Sequence, residues 1–435
     1  MAARTPGRVA YVNARLLDPA SGLDARGAVL TDGESIVDVG PGLFAGGVPS
    51  GIETVDCNGA CLAPGLVDMR VQLREPGEEH KETLFSAGQA AVAGGVTSLV
   101  CLPNTDPVID DGATVEFVAR RARKNGLAKV YPYAAATKGT LGQELSEMGL
   151  LAEAGALAFT DGTKAIKSAQ VMRRALAYAA TFGLMIVQHP EEPSLADGGV
   201  MTEGEMATRM GLSGITPAAE AIMLERDMRL VELTGARYHA AHVSTAEGID
   251  IIRRAKARGL PVSCDTAPPY FALNELAVSD YRTFAKLSPP LRCEDDRRAV
   301  VEAIKEGVID VIASDHAPQD QDSKRLPFAQ AAFGGLGLET LLPVTLELHH
   351  NGYLTLLQVI DRLSWAPARL LGLPAGRLKA GAAADILVFD PDRPWRVNPE
   401  KFRSKSKNSP FDGRPVQGKV LRTVIDGRPV FIADV

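Results

Sequence analysis

Residues 66–102, LVDMRVQLREPGEEHKETLFSAGQAAVAGGVTSLVCL, contain the unit that decides the predicted fold. An apolar strand is predicted at Leu66–Leu73, an amphipathic helix at Glu82–Ala93 and a second apolar strand at Val96–Leu102. A strand, a loop, a helix and another strand in this order are typical of a parallel sheet whose neighbouring strands are connected by helices. Residues 66–102 therefore predict an α/β fold.

The same unit recurs along the middle of the chain. Further strands are predicted at Lys129–Ala135, Ala156–Thr160, Leu184–Gln188, Arg237–Val243, Pro261–Asp265 and Val308–Ser314. Further helices are predicted at Thr114–Lys124, Ala218–Thr234, Ala246–Arg258 and Arg297–Glu306. Eight such units over about 300 residues predict a TIM-type (β/α)₈ barrel, in which chemistry takes place at the carboxyl ends of the strands.

Both ends of the chain have a different texture from the middle. Residues 1–62 and 374–435 are rich in short β segments separated by turn residues, as in SIVDVG and VLRTVIDG. We expect the two ends to meet as a small β-sandwich domain beside a barrel at residues 63–373. The polar stretch Lys401–Ser409, KFRSKSKNS, is predicted to be a surface loop.

Composition excludes several classes of protein. The 435 residues are 46 % hydrophobic and carry a net charge of −6, which excludes an intrinsically disordered chain and argues against a nucleic-acid surface. No apolar run is long enough for a transmembrane helix, and the first residues lack the apolar core of a signal peptide. Five cysteines without a paired metal spacing indicate reduced thiols, so a cytoplasmic protein is expected.

Several motifs together resemble the dihydroorotase family of the amidohydrolase superfamily. The resemblance runs nearly end to end and is carried, in order, by PGLVDMRVQLREPGEEHKET at 64–83, GGVTSLVCLPNTDPVID at 94–110, HVSTAEG at 242–248, LSPPLR at 287–292, SDHAP at 314–318, FGGLGLET at 333–340 and GRLKAGAAADILVFD at 376–390. Hydantoinases and allantoinases share this scaffold. Members of the family open or close a cyclic amide with one or two Zn²⁺ ions, which generate hydroxide at neutral pH.

The family's metal motif is altered here. The resemblance implies Asp-x-His-x-His after the first barrel strand, but this chain has Arg70 and Gln72 at the two histidine positions. A guanidinium has no free lone pair and stays cationic, so it repels a metal ion, and an amide oxygen suits Zn²⁺ poorly. The resemblance also implies two adjacent aspartates after strand four, where this chain has Asp161 followed by Gly162. Gly162 is assigned to the ligand position.

Other family positions are retained. His189 and His242 match two further metal ligands, and Asp315 matches the aspartate that binds metal and acts as general base. Arg74 and Asn104 resemble the pair that grips a substrate carboxylate. Some ligand positions of the family are retained and others are lost, which predicts a relic metal site that holds no cofactor.

Some substrate positions have changed, and some retained residues are expected to have structural roles. Gln319, Ser288 and Tyr270 stand where the family has a histidine, an asparagine and a histidine. Residues 319–334 are predicted to form a loop that closes over the site. Without a metal, Asp315 needs a compensating cation, and Arg70 is predicted to supply it. Asp68 and His316 are expected to hold loop backbone.

Three functions are compatible with these residues. The first is a non-catalytic dihydroorotase homologue, which the resemblance implies is an oligomeric partner of the aspartate transcarbamoylase catalytic chain. The second is an active zinc-dependent cyclic amidohydrolase that uses His189, His242 and Asp315. The third is a metal-free protein that binds an acidic pyrimidine through Arg74 and Asn104. No nucleic acid or membrane is expected as a partner.

Overall fold

The computed structural model describes residues 7–434. Its strands are β1 (Arg8–Asp18), β2 (Leu23–Asp32), β3 (Ser35–Gly40), β4 (Glu53–Asp56), β5 (Cys61–Pro64), β6 (Leu66–Val71), β7 (Val96–Cys101), β8 (Lys129–Pro132), β9 (Met185–Gln188), β10 (Met201–Thr202), β11 (Gly214–Ile215), β12 (Arg237–Ala240), β13 (Val262–Thr266), β14 (Val311–Ile312), β15 (Ile386–Arg396), β16 (Pro415–Ile425) and β17 (Arg428–Ile432).

The α-helices are α1 (Leu84–Ala93), α2 (Gly112–Asn125), α3 (Met148–Glu153), α4 (Ala169–Thr181), α5 (Pro193–Ala196), α6 (Glu205–Met210), α7 (Ala218–Thr234), α8 (Ala246–Ala257), α9 (Pro268–Ala272), α10 (Glu294–Glu306), α11 (Gln321–Arg325), α12 (Leu341–His350), α13 (Leu356–Ile360) and α14 (Ala366–Leu371). Local chemistry sets several of their ends. The Thr83 and Ser86 side chains form a capping box at the start of α1. Gly235 ends α7 in the left-handed conformation. Among residues 7–434, no helix is both long and apolar enough to cross a membrane.

The barrel predicted for the middle of the chain is confirmed. Parallel strands form the orders β6-β7-β8 and β9-β12-β13-β14. Phe159 bridges the first group to the second, through Ala134 on one side and Ile186 on the other. A bridge from Val71 to His316 closes the ring. The fourth predicted strand is thus reduced to bridges at Phe159, and the other predicted strands end within a few residues of their expected limits.

Alternating side chains build the two layers of the barrel core. Val100, Val187 and Val311 belong to the cluster inside the barrel. Their neighbours Leu99 and Ile312 belong to the larger cluster that packs against the helices. Successive residues of a strand point to opposite faces, so both layers follow from the apolar runs of the strands.

Strands from both ends of the chain form a separate sheet. Its order is β17-β16-β15-β5-β1-β2-β3, with β4 paired to β1. Antiparallel pairing of β15 with β5 joins the C-terminal part to the N-terminal part. One face of the sheet has its own apolar core, which includes Tyr11, Leu16 and Ile386. The domain limits at residues 62 and 373 remain a prediction.

The prediction that 401–409 is a surface loop is wrong for half of its side chains. Exposed and buried residues alternate along it, and the Ser404 and Asn408 side chains are buried. Ser404 Oγ donates to the Glu82 carboxylate, while Asn408 Oδ1 accepts from the backbone N–H of Gln319 at 3.1 Å. The lysines and arginine on the exposed side made the segment look fully solvated, because composition does not reveal which alternate side chains meet the barrel.

Candidate functional site

The predicted site residues meet at the carboxyl ends of the barrel strands, as the fold requires. They surround a central cavity of about 310 Å³. Among its lining residues are Arg70, Gln72, Arg74, Asn104, His189, Ser288, Asp315 and Gln319. His242 and Gly162 stand directly behind this lining, since His242 contacts His189 and the Gly162 carbonyl faces Arg70.

Arg70 forms a buried ion pair with Asp315, as predicted. Its Nε donates to Asp315 Oδ1 at 2.9 Å, and its Nη2 lies 3.5 Å from the Gly162 carbonyl oxygen. The Arg70 side chain is 2 % exposed and that of Asp315 is 16 % exposed. Burial alone would raise the pKa of Asp315, but His242 and the Arg70 guanidinium outweigh it and hold the pKa below its ordinary value. The cavity thus carries an internally neutralised pair.

The two retained histidines contact each other directly. His189 Nδ1 and His242 Nε2 are 2.7 Å apart, so one ring donates a hydrogen bond to the other. On its opposite edge, His242 Nδ1 lies 3.4 Å from Asp315 Oδ1. Burial, together with the nearby Arg70 charge, lowers the pKa of His242 to about 4, so this imidazole is neutral at pH 7.

The retained ligands do not fit a zinc ion in this arrangement. Two nitrogens that share a tetrahedral Zn²⁺ at about 2.0–2.1 Å lie roughly 3.3 Å apart, which is wider than the 2.7 Å between His189 and His242. Asp315 lies at the other edge of the His242 ring, so the three side chains do not converge on one point. Across residues 7–434, no three His, Cys, Asp or Glu side chains are grouped to hold a metal.

Gln72 and Asn104 are hydrogen-bonded to each other. Asn104 Nδ2 donates to Gln72 Oε1 at 3.2 Å. The amide oxygen that stands at the second lost histidine position already has a protein partner. Asn104 also limits position 162, because a Cβ on Gly162 would lie 3.3 Å from the Asn104 Cβ, and Gly162 has a φ of +73°. A residue with a side chain is strained at this position.

Arg74 reaches the cavity but is held by its own loop. Its Nη1 donates to Glu78 Oε2 at 2.7 Å, and its Nε donates to the Pro318 carbonyl at 3.1 Å. Burial lowers the pKa of the Arg74 guanidinium. An arginine side chain nevertheless stays charged in proteins. The structure brings Arg74 and Asn104 to one cavity, and their binding of a carboxylate stays a prediction.

Three further polar residues hold backbone around the site. Asp68 Oδ1 accepts from the backbone N–H groups of Arg70 and Ser314, at 3.2 and 3.1 Å. His316 Nδ1 accepts from the Gly337 N–H at 3.2 Å. These contacts confirm the expected structural roles of Asp68 and His316. Asp161 likewise serves the neighbouring loop, because its carboxylate accepts from the Thr137 N–H at 2.9 Å and hydroxyl at 2.6 Å.

The sequence reasoning missed Glu191, which ends the row of polar groups behind the cavity. Its Oε1 lies 3.6 Å from His189 Nε2. Burial alone would raise the pKa of Glu191, but its contact with His189 outweighs burial and lowers the pKa. The available signal was the position of Glu191 two residues after His189, at the end of a predicted strand. Arg70, Asp315, His242, His189 and Glu191 therefore form a continuous polar chain.

The predicted closing loop is fixed over the cavity by buried lysines. Lys324 Nζ donates to the carbonyls of Thr283 at 3.0 Å and Ala332 at 2.6 Å. Lys286 Nζ donates to the Phe328 carbonyl at 2.9 Å. Each lysine amino group carries several N–H donors, which suits these multiple carbonyl acceptors. These hydrogen bonds hold the loop in place, so it forms one wall of the cavity.

Comparison with known proteins assigns the family. The Dihydro-orotase-like family model matches residues 59–248, and the Amidohydrolase family model matches residues 234–431. A dihydroorotase from Wolbachia sp. subsp. Drosophila simulans (strain wRi) is 46 % identical over 426 residues, which cover 98 % of this chain and 96 % of that protein. The chain belongs to the dihydroorotase family.

Further relatives agree with this assignment. A dihydroorotase from Pelobacter propionicus is 46 % identical to this dihydroorotase-family chain, over 96 % of the chain and 98 % of the relative. The L-hydantoinase (dihydropyrimidinase) structure from Arthrobacter aurescens has a TM-score of 0.86 at 25 % identity and covers 98 % of the chain. A dihydropyrimidinase structure from Brevibacillus agri has a TM-score of 0.80 at 23 % identity. These structures share the amidohydrolase barrel with the dihydroorotase-family chain.

Proposed function

We propose that this chain is a non-catalytic member of the dihydroorotase family that acts in pyrimidine biosynthesis as a structural partner of the aspartate transcarbamoylase catalytic chain. The Arg70–Asp315 ion pair is the observation that carries the proposal. It places a permanent cation on the carboxylate that the family uses as metal ligand and base. The dihydroorotases among the relatives support the pathway.

Electrostatics explain why this cavity would not perform metal-dependent hydrolysis. A metal ion that approached Asp315 would be repelled by the positive charge of the Arg70 guanidinium. Displacing Arg70 would leave a buried charge without its partner, which costs about 3–5 kcal/mol. The barrel and its outer surface remain intact while the cavity is neutralised internally. A fold preserved in this way suits an oligomeric, cytoplasmic scaffold.

Metal content and activity test the catalytic part of the proposal. The chain is purified without chelator, and zinc is counted by plasma mass spectrometry while dihydroorotate hydrolysis is assayed. We expect far less than one zinc per chain and no activity above the buffer rate. One zinc per chain with turnover would establish the alternative, an active zinc-dependent cyclic amidohydrolase using His189, His242 and Asp315.

Reverting the altered positions gives a sharper test. Arg70→His/Gln72→His returns two imidazoles to the cavity, and we expect zinc uptake to rise in this variant. The matched control is Arg70→Lys/Gln72→Asn, which keeps a cation and an amide and is expected to bind no zinc. Gly162→Asp is added last, since its positive φ makes that change costly by itself. Equal zinc in the reverted and control variants would contradict the assignment of these positions.

Co-purification tests the partner. Tagged chain is isolated from its native cell and probed for the aspartate transcarbamoylase catalytic chain. Stoichiometric recovery in a defined oligomer supports the proposal, and a monomer that leaves this enzyme behind contradicts it. A rise in melting temperature with dihydroorotate, without a partner, would favour an acidic-pyrimidine-binding protein using Arg74 and Asn104.

A further inference from the structure

A second groove lies between the end sheet and the barrel helices α1 and α12. Its volume is about 240 Å³, and it shares no lining residue with the central cavity. Apolar walls come from Trp395, Phe402 and Phe431, and the neighbouring Ile432 is 55 % exposed. Phe402 is 8 % exposed and Trp395 and Phe431 are partly exposed, so the apolar surface open to a ligand is that of Trp395, Phe431 and Ile432.

Unpaired cations line the same groove, which we call the basic groove. Lys401, Arg403 and Lys419 contribute to its lining. Within residues 7–434, none of their side chains forms an ion pair or a hydrogen bond. Lys419 is half-buried, and its ammonium lies 4.7 Å from the centre of the Trp395 ring. Burial and the like charges of Arg393 and Lys401 outweigh the attraction of Glu339 and lower the pKa of Lys419.

The carboxyls at the basic groove do not balance these cations. Glu339 Oε1 accepts from the backbone N–H groups of Arg403 at 2.7 Å and Ser404 at 3.2 Å, so this oxygen is already engaged. Burial raises the pKa of Glu339 to about 7. Asp434 is exposed at one end of the lining. Among residues 7–434, the lining of the basic groove has four cationic side chains, Arg396, Lys401, Arg403 and Lys419, and two carboxyls, Glu339 and Asp434, so positive charge is in excess there on a chain whose net charge is −6.

We propose that the basic groove binds an extended acidic segment of a partner protein, in which carboxylates flank a large apolar side chain. Carboxylates would pair with Lys401 and Arg403 and relieve the repulsion among the cations. The apolar side chain would pack against Trp395 and Phe431, and so lose contact with water. The aromatic walls favour such a segment over a bare inorganic anion, which has no apolar part to bury. This surface is independent of the central cavity and of its proposed loss of catalysis.

Binding to a synthetic peptide tests the proposal on the full chain. The probe is a fluorescein-labelled peptide with one phenylalanine between two pairs of glutamates, followed by fluorescence polarisation. The groove variant is Lys401→Glu/Arg403→Glu, and the control variant is Lys379→Glu/Lys124→Glu, which reverses two exposed charges elsewhere. We expect about tenfold weaker binding for the groove variant, unchanged binding for the control, and weaker binding as salt rises.

The remaining outcomes decide against the proposal. Undetectable binding of the acidic peptide by the natural chain, or equal loss in both variants, contradicts a specific site. A glutamate-to-lysine version of the peptide must bind at least tenfold more weakly, and equal binding contradicts the charge argument. If inorganic phosphate or a nucleotide displaces the peptide at lower concentration than unlabelled peptide does, the groove is a small-anion site and the proposal is overturned. Circular dichroism melting of each variant keeps loss of folding separate from loss of binding.

Discussion

Replacing Arg70 by methionine tests the physical role of the buried ion pair. Methionine has a similar reach and no charge, so it removes the partner of Asp315 with little change in volume. The Arg70 side chain is 2 % exposed and its Nε lies 2.9 Å from Asp315 Oδ1. Asp315 then keeps a carboxylate in a site where His242 is its remaining nearby polar partner. We expect the free energy of unfolding to fall.

The size of the effect follows from burial and distance. Two unit charges about 4 Å apart at an effective dielectric constant of about 20 attract by roughly 4 kcal/mol. Breaking a buried pair by removing one partner costs about 3–5 kcal/mol. Because the Asp315 side chain is 16 % exposed to the cavity, water recovers part of this loss, and we expect about 3 kcal/mol. For 435 residues this corresponds to a fall in melting temperature of about 3 °C.

Calorimetry and urea unfolding at pH 7 measure this change in a double-mutant cycle. Arg70→Met, Asp315→Asn and the double variant are compared, and we expect the double variant to lose at least about 2 kcal/mol less than the sum of the single losses. Arg8→Met is the matched control, because the Arg8–Asp32 pair is exposed on the surface and should contribute under about 1 kcal/mol. A loss for Arg70→Met no larger than that of the control, or additive losses in the cycle, would refute the reasoning.

Three further predictions concern other parts of the fold. Burial raises the pKa of Asp227 to about 6, so this carboxyl should contribute a loss of stability of about 2 kcal/mol as pH rises from 4 to 7, and Asp227→Asn should remove that part of the pH dependence in urea unfolding. Lys324→Met leaves loop carbonyls without a donor and should speed amide exchange of residues 319–334 about tenfold, measured by mass spectrometry. Gly94→Ala puts a Cβ 2.1 Å from the Leu338 carbonyl oxygen and should cost at least about 2 kcal/mol, whereas Gly149→Ala, with no contact under 3.5 Å, should stabilise slightly.

The barrel was predictable because its signals are local. Apolar runs such as Val96–Cys101 alternate with helical patterns such as Ala218–Thr234, and the structure has a strand and a helix at these places. The fourth strand was less predictable. Backbone groups of this segment form hydrogen bonds with both neighbouring strands, but only Phe159 forms β-bridges. The sequence pattern does not distinguish such a segment from a regular strand.

The candidate site was predictable in position and less so in contacts. The family motifs predicted that Arg70, Asp315 and the two histidines lie at one end of the barrel. The need of a buried carboxylate for a cation predicted the Arg70–Asp315 ion pair. It did not predict that His242 would lie between Asp315 and His189, since the direction of a ring depends on packing. Glu191 was missed because its position two residues after His189 does not by itself show whether its carboxylate is buried or exposed.

By itself, the sequence determined the barrel, the meeting of the two chain ends in one β domain and the loss of the two histidines at Arg70 and Gln72. Each of these depends on residue type and on spacing along the chain. Only the tertiary structure decided that Asn104 forms a hydrogen bond with Gln72 and that the retained ligands do not converge on one metal position. It also decided that basic residues of 401–409 line a groove. Those contacts join residues far apart in the chain, and their distances and burial are set by how the barrel and the end sheet pack together.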